Sequence, residues 1–426
     1  MIRSMFSGVS GLRSHQTMMD VIGNNIANVN TVGFKSSTVV FQDALSQVMN
    51  GAGVPTQGSS GAGGTNPSQI GLGVKVGSIG SSFSQGASQL TGRNTDLSIQ
   101  GDGFLIVRKD GQTNYSRAGA LNFDAYGRVV NSDGGVLQGW LADANGVVNS
   151  NATIGDLVMP LGQSQAPQAT SKVRLGGNLD ATAPKGGYPG PETMTTVTVF
   201  DQQGKSINLS FGFKATAANS WTVQPYQPDG PDADLNPDAL GSPITLTFDP
   251  ATGKLTAPTT APTITIPPTL GTFAGPITVD FGAADSDGTR QFAGPTGVAA
   301  LNQDGAGLGS LQGFTIGVDG TVTGVFSNGR NRPLGMIALS TFANPAGLEK
   351  AGSSAFRATG NSGLAQVGVP NTAGRGTLVG ATLEMSNVDL AQEFTSMIMA
   401  QRGFQANSRV ITASDEMLQD LVNLKR

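Results

Sequence analysis

Cysteine is absent from the 426 residues and histidine occurs once, as His15. Disulfides, thiolate metal sites and a Cys/His nucleophilic pair are therefore excluded, and a Ser/His arrangement would need its base from the N-terminal segment. Charge is scarce too. Asp, Glu, Lys and Arg make up 13% of the chain with a formal net charge of -4, and no basic stripe offers the counterion release that draws proteins to nucleic acid or anionic lipid. No apolar run approaches the about 20 residues a membrane span needs. The first thirty residues lack the basic, apolar, small-residue order of a cleaved secretory signal. A Gly-x-Ser-x-Gly elbow and a Walker loop are missing, and the glycines of "GDG" (Gly101 to Gly103) and "GAGLGSLQG" (Gly305 to Gly313) lack phosphate-loop spacing and read as turns. No cofactor, metal or catalytic residue is expected. A secreted β-rich carbohydrate-active enzyme is the alternative from a different class, because its two carboxylates need only meet in space.

Proline is missing from residues 1–54 and 371–426, while 17 of the 22 prolines fall between Pro160 and Pro295. Long helices are thus permitted only at the two ends, since an interior proline removes a donor and clashes with the preceding turn. Near the start, Met5, Val9, Leu12, Met19, Ile22, Ile26 and Val29 recur at helical intervals. The helix should stop around Asn28 to Gly33, where "NNIANVNTVGFKSS" collects residues that cap helix ends and tolerate left-handed backbone. At the other end, Ser386 and Asp389 have capping-box spacing, and a helix is expected from there to the terminus. Its apolar face carries Leu390, Phe394, Met397, Phe404, Ile411, Leu418 and Val422, with Gln401, Ser408 and Asp415 on the same seam. An amphipathic helix longer than a small domain is wide must bury its face on something outside that domain. Both ends therefore read as surfaces left unsatisfied until subunits assemble.

Between the ends the pattern is β. "LSIQGDGFLIVRKDG" turns at Asp110-Gly111, "ALNFDAYGRVVNSDGG" supplies a second hairpin, and "GFTIGVDGTVTG" echoes the first from beyond the proline-rich middle. The middle alternates through Val197, Val199, Ile207, Leu209, Phe211 and Phe213 around "DQQG", then Ile244, Leu246 and Phe248 before "DPATG". The expected fold is α+β and multidomain: long terminal helices pairing as an inner, coiled-coil-like domain, with mainly antiparallel all-β middle and outer domains. The expected division is a terminal helical polymerisation domain (1–35 and 380–426), a Gly-rich connector (36–90), an inner β domain (91–150 and 305–379) and an inserted outer β domain (151–304). Gly51, Gly53, Gly58, Gly61, Gly63 and Gly64 give the connector many backbone conformations of similar energy, so it reads as a flexible tether.

"MDVIGNNIANVNTVGFKSS" and "LEMSNVDLAQEFTSMIMAQRGFQANSRVITASDEMLQDLVNLKR" resemble the axial proteins of the bacterial flagellum, the rods and the hook. "YSRAGALNFDAYGRVV", "FSNGRNRPLGMIAL" and "FANPAGLEKAG" extend the resemblance through the inner β segments. Length and the inserted middle resemble the hook members; the distal rod members, which share the ends, are the alternative. The resemblance implies a structural subunit and no enzyme: a homopolymer whose paired helices line a short curved tube, a flexible universal joint carrying torque from motor and rod to filament. It implies the rod protein, hook cap, hook-filament junction protein and flagellar type III export apparatus as partners. It also implies an extracellular location reached without a cleaved signal. The family's export signal sets phenylalanine four positions before an aliphatic residue; here Met5 and Val9 have that spacing and Phe6 lies one place off. Leu12, Met19, Ile22, Ile26, Asn28, Asn30, Gly33 and Phe34 are expected, with the C-terminal face, to form subunit contacts.

Overall fold

The structure is a computed structural model that describes residues 2–54, 64–143, 146–160, 162, 164–185, 193–227, 239–282 and 288–423. The chain divides into two compact units, one of Met1–Met159, Phe314–Thr323 and Pro333–Arg426, the other of Pro160–Gly313 and Gly324–Arg332. The terminal helices thus belong to one unit with the neighbouring β structure. The second unit runs beyond residue 304 to Gly313 and takes back the short stretch 324–332.

In the first unit, helix α1 spans Ile2–Ala27 and helix α2 spans Leu390–Asn423, and the two pack on one another. Helix α2 starts four residues after Ser386. Asp389 is its cap, its Oδ1 accepting the N–H groups of Ala391 (2.9 Å) and Gln392 (3.2 Å). Its 34 residues make a rod of about 50 Å.

The segment expected to be a loose tether is largely ordered as a ribbon. Ser37–Asp43 pairs antiparallel with Val74–Ser81, and Ser46–Asn50 with Ser68–Gly71. Gly53 and Thr65 exchange backbone hydrogen bonds of 2.9 and 3.1 Å, so Gly51, Gly53 and Gly64 sit at or beside the last described pairing of this ribbon. Gly51, Gly53 and Gly64 thus lie beside paired strands. Gly58, Gly61 and Gly63 lie outside the described residues.

Beside two short strand pairs, Leu97–Gln100 with Thr377–Gly380 and Ser88–Leu90 with Thr382–Glu384, this unit holds a sheet seeded by the expected hairpin: Phe104–Lys109 pairs with Gln112–Ser116, and Asp110 and Gly111 both have positive φ, as a type I′ turn requires. Leu339–Thr341 joins the other edge, with Leu339 opposite Leu105. Leu97, Leu105, Leu121, Leu137, Leu339 and Leu378 form its buried core.

The second unit packs two sheets. One is an antiparallel meander from Thr193–Phe200 to Leu255–Ala257, in which Val197 faces Leu209 and Val199 faces Ile207 across the "DQQG" turn. The other centres on Lys172–Asp180; Gly297–Gln303 pairs antiparallel with it, while Ile277–Asp280 and Thr289–Phe292 run parallel, the exceptions in a mainly antiparallel unit. Their inner faces share one core containing Val173, Leu175, Phe211, Phe213, Trp221 and Val279.

Candidate functional site

Helix α1 contacts α2 antiparallel along a seam of small side chains. Ser4 meets Ser414 at 3.3 Å, and Asn25 reaches Glu393 at 2.9 Å near the other end. Between them, a Cβ added at Gly8 would lie 3.2 Å from Ile411, at Gly11 2.6 Å from Asn407, and at Gly403 2.5 Å from His15. Ser14, Ala400 and Ser414 are buried along the same line. Glycine, alanine and serine here let the backbones approach closely, because the distance between helix axes is set by the side chains at the contact.

That close approach pushes larger residues to the flanks. Of the expected α1 face only Ile22 is fully buried; Met5, Leu12, Met19, Ile26 and Val29 are half-buried and Val9 is exposed. On α2, Met397, Phe404, Ile411 and Leu418 form a half-buried row at seven-residue spacing. Leu390 and Phe394, expected on that face, are exposed. Gln401, Ser408 and Asp415 are exposed and off the seam; its polar positions are Glu393, Asn407 and Ser414. Phe6, Ile398, Met399, Val410 and Met417 add further uncovered apolar surface.

The asparagine cluster forms the corner where α1 ends. Asn28 folds back on its own helix, donating from Nδ2 to the carbonyl (2.9 Å) and side-chain oxygen (2.8 Å) of Asn24. Asn25 reaches outward: its amide donates to the Ser37 carbonyl at 2.8 Å and accepts the Ser37 N–H at 3.0 Å, besides holding Glu393. Asn30 is exposed. Gly33 is buried with φ 66°, and its missing Cβ would lie 2.6 Å from the Ala118 nitrogen. Its N–H donates to the Glu384 carbonyl at 2.8 Å. Phe34 lies beneath the Lys350 ammonium, 5.1 Å from the ring centre.

Lys35, which is not among the residues expected to form contacts, is the pivot of this corner. Its Nζ is 2.6 Å from Glu384 Oε1, and both side chains are fully buried. The same ammonium donates to the Ser84 carbonyl at 2.8 Å, while Glu384 accepts the Gly86 N–H at 3.0 Å and faces Arg117 Nη1 at 3.4 Å. Arg117 stacks over Phe104. Burial pulls the Lys35 ammonium below its ordinary pKa, with Glu384 opposing that shift. Asn387 adds a second tie, accepting the Ser36 N–H at 2.8 Å and donating to the Ser82 carbonyl at 2.9 Å. Four stretches far apart in sequence, around residues 35, 84, 117 and 385, are thereby locked together. A sequence signal existed only in part: a lysine in the turn-rich stretch beyond the end of α1 at Ala27 invites a surface reading, and its partner is 349 residues away.

No group of three or more His, Asp or Glu side chains is placed to hold a metal ion among the described residues. No described helix is long and apolar enough to cross a membrane. What the geometry offers is adhesive surface: a helix pair with uncovered apolar flanks, anchored to a β domain by a buried ionic lock.

The comparisons agree on one relationship. Family models match residues 5–35 (Flagella basal body rod protein), 98–176 (Flagellar hook protein FlgE/F/G D1 domain), 178–306 (Flagellar basal body protein FlaE D2 domain) and 380–424 (Flagellar basal body rod FlgEFG protein C-terminal). The flagellar hook protein FlgE of Borreliella burgdorferi is 40% identical, with all of both chains covered. The chain belongs to the flagellar hook protein family. The fold of the Helicobacter pylori flagellar hook protein FlgE2 in its crystal structure is similar, with a TM-score of 0.50 at 15% identity, over 70% of this chain and 100% of that one. The flagellar basal-body rod protein FlgG of Bacillus subtilis is 32% identical and also covers both chains completely. Length and the inserted middle therefore do not by themselves separate hook from rod members, and the distinction rests on the 40% identity to the Borreliella burgdorferi hook protein against 32% to this rod protein.

Proposed function

We propose that this chain polymerises with copies of itself into the short curved tube of the flagellar hook, outside the cell, and that the tube works as a universal joint between rod and filament. The observation that carries this reading is the helix pair, which belongs to the matched hook family and leaves Phe6, Phe394, Ile398 and Met417 uncovered. Apolar surface of that extent on long helices favours association. Leu390 and Phe394 are contact residues in this reading, and Asn28, Asn30, Gly33 and Phe34 hold or border the corner. The end of the ribbon that carries Gly51, Gly53 and Gly64 supplies the yielding contact as layers slide. The rod protein, hook cap, hook-filament junction protein and flagellar type III export apparatus are the partners, with Met5, Phe6 and Val9 as the candidate export signal; no nucleic acid and no membrane insertion enter.

Electron microscopy of the purified chain under assembling conditions tests the reading. Curved tubes are expected. Straight tubes would favour a rod subunit, the second reading that the full-length match to the Bacillus subtilis rod protein supports. A chain that stays monomeric at all concentrations and salts would refute both.

A further inference from the structure

A cleft of about 400 Å³ runs between the first half of α1 and the strand that returns from the ribbon. Phe6, Val9, Val74 and Val76 give it an apolar lining, and Arg13 and Lys75 lie on it as exposed cations. The cleft is preformed: Ser10 Oγ accepts the Val74 N–H at 3.2 Å, and Gly73, at φ 121°, has no Cβ to collide with that hydroxyl. Phe6 is 68% exposed in it. Neither Arg13 nor Lys75 forms an ion pair among the described residues.

The last three turns of α2 carry a surface of matching character. Val410, Ala413 and Met417 follow one another at helical intervals and are all exposed. Glu416 and Asp420, one turn apart, flank Met417 and are likewise exposed and without an ion pair among the described residues. This stripe cannot fill the cleft of its own chain. Within one molecule α2 meets α1 through Ile411, Asn407 and Ser414 against Gly8, Gly11 and Ser4, which turns the Val410–Met417 stripe and the cleft away from that seam.

We infer that the cleft between α1 and strand Val74–Ser81 receives the Val410–Ala413–Met417 stripe of a second copy of this chain, with Glu416 and Asp420 of that copy set against Arg13 and Lys75. Apolar character and charge sign both fit this occupant. Because cleft and stripe are different surfaces, the contact is head-to-tail, and each subunit added presents a fresh cleft. A contact of that kind propagates into a helical array, whereas a self-complementary patch would stop at a dimer. The inference rests on the homopolymer reading above and adds the register of one of its contacts.

The absence of cysteine makes the test clean. Two single variants, Val76→Cys and Met417→Cys, are mixed, assembled and oxidised. A disulfide joining position 76 of one copy to position 417 of another is expected, read by mass spectrometry of the crosslinked peptides. The charges are tested separately: reversing Arg13 and Lys75 to Glu should raise the concentration needed for assembly about tenfold, and reversing Glu416 and Asp420 to Lys in the same chain should restore it. Tubes that form from the mixture without the 76–417 disulfide, or a paired reversal that assembles no better than either reversal alone, would overturn the inference and leave the homopolymer reading intact. An unmodified chain that makes no tubes would overturn the homopolymer reading, and the inference with it.

Discussion

Glu384→Gln removes the one negative charge from the buried corner and keeps the shape. The Lys35 ammonium at 2.6 Å and the Arg117 guanidinium at 3.4 Å are attracted to that carboxylate by about 6 and 5 kcal/mol respectively at an effective dielectric of 20. Desolvating three charged groups offsets much of this, so the net worth of the lock against an apolar core is small. Removing a single partner is different, because two cations are then left buried without a counter-charge, which costs about 3–5 kcal/mol. The variant also loses a charged acceptor for the Gly86 N–H. Deprotonating Lys35 limits the damage. Its pKa already lies below the ordinary value, and without Glu384 it falls further. A lysine whose folded pKa is depressed costs stability below that pKa and returns it as pH rises toward 10.5. The deficit of the variant should therefore shrink between neutral and alkaline pH. Each unit holds one of the two tryptophans, Trp140 and Trp221, so urea unfolding followed by fluorescence in a Trp221→Phe background reports on the first unit alone. A deficit below about 1 kcal/mol, or one that does not change with pH, would refute the account of a buried ionic lock.

Gly33→Ala should destabilise the first unit by at least about 1–2 kcal/mol from the left-handed backbone alone; an unchanged urea midpoint would mean that the approach to Ala118 is looser than described. Asn25→Ala strips the Ser37 backbone and Glu393 of a shared partner and should cost about 1–3 kcal/mol, measured the same way. Phe404→Asp places an unpaired carboxylate on the half-buried row of α2, so tube formation should fail while both β units melt normally; normal tubes would show that this row is not buried on assembly. In the second unit, the Gly282 backbone N–H and then Lys172 hold the Asp280 carboxyl below its ordinary pKa. Asp180 is held low by the Thr182 backbone N–H and hydroxyl. Depressed carboxyl pKa values stabilise above the ordinary carboxylate range and lose that contribution as pH falls through them. The second unit's melting temperature, followed by Trp221 fluorescence, should thus drop below about pH 4, and a flat acid limb would contradict the assigned hydrogen bonds.

Local patterns announced most of the secondary structure. The "DQQG" hairpin aligns as the alternation of Val197 and Val199 with Ile207 and Leu209 requires, because one face of each strand is buried and a one-residue slip would expose it. The absence of proline at the ends admitted two long helices, and the row Met397, Phe404, Ile411 and Leu418 was readable from its seven-residue spacing alone. What that spacing could not reveal is how close the helices come. Gly8, Gly11 and Gly403 look like poor helix formers in sequence and Ala400 like filler, and only the partner helix turns them into a seam, with Leu390 and Phe394 left exposed. The ribbon is a second case: glycine content signals freedom, yet Ser37–Asp43 pairs with Val74–Ser81 and Ser46–Asn50 with Ser68–Gly71. Lys35 is the clearest. A lysine is a surface residue by every local rule, since burying its charge unpaired is prohibitive. Its burial is decided by Glu384 and Arg117, which reach it from the far end of the chain and from the β domain only once the tertiary fold has formed. Sequence periodicity fixes which face of an element is apolar; long-range contacts decide which of those faces the molecule itself covers and which it leaves for another copy.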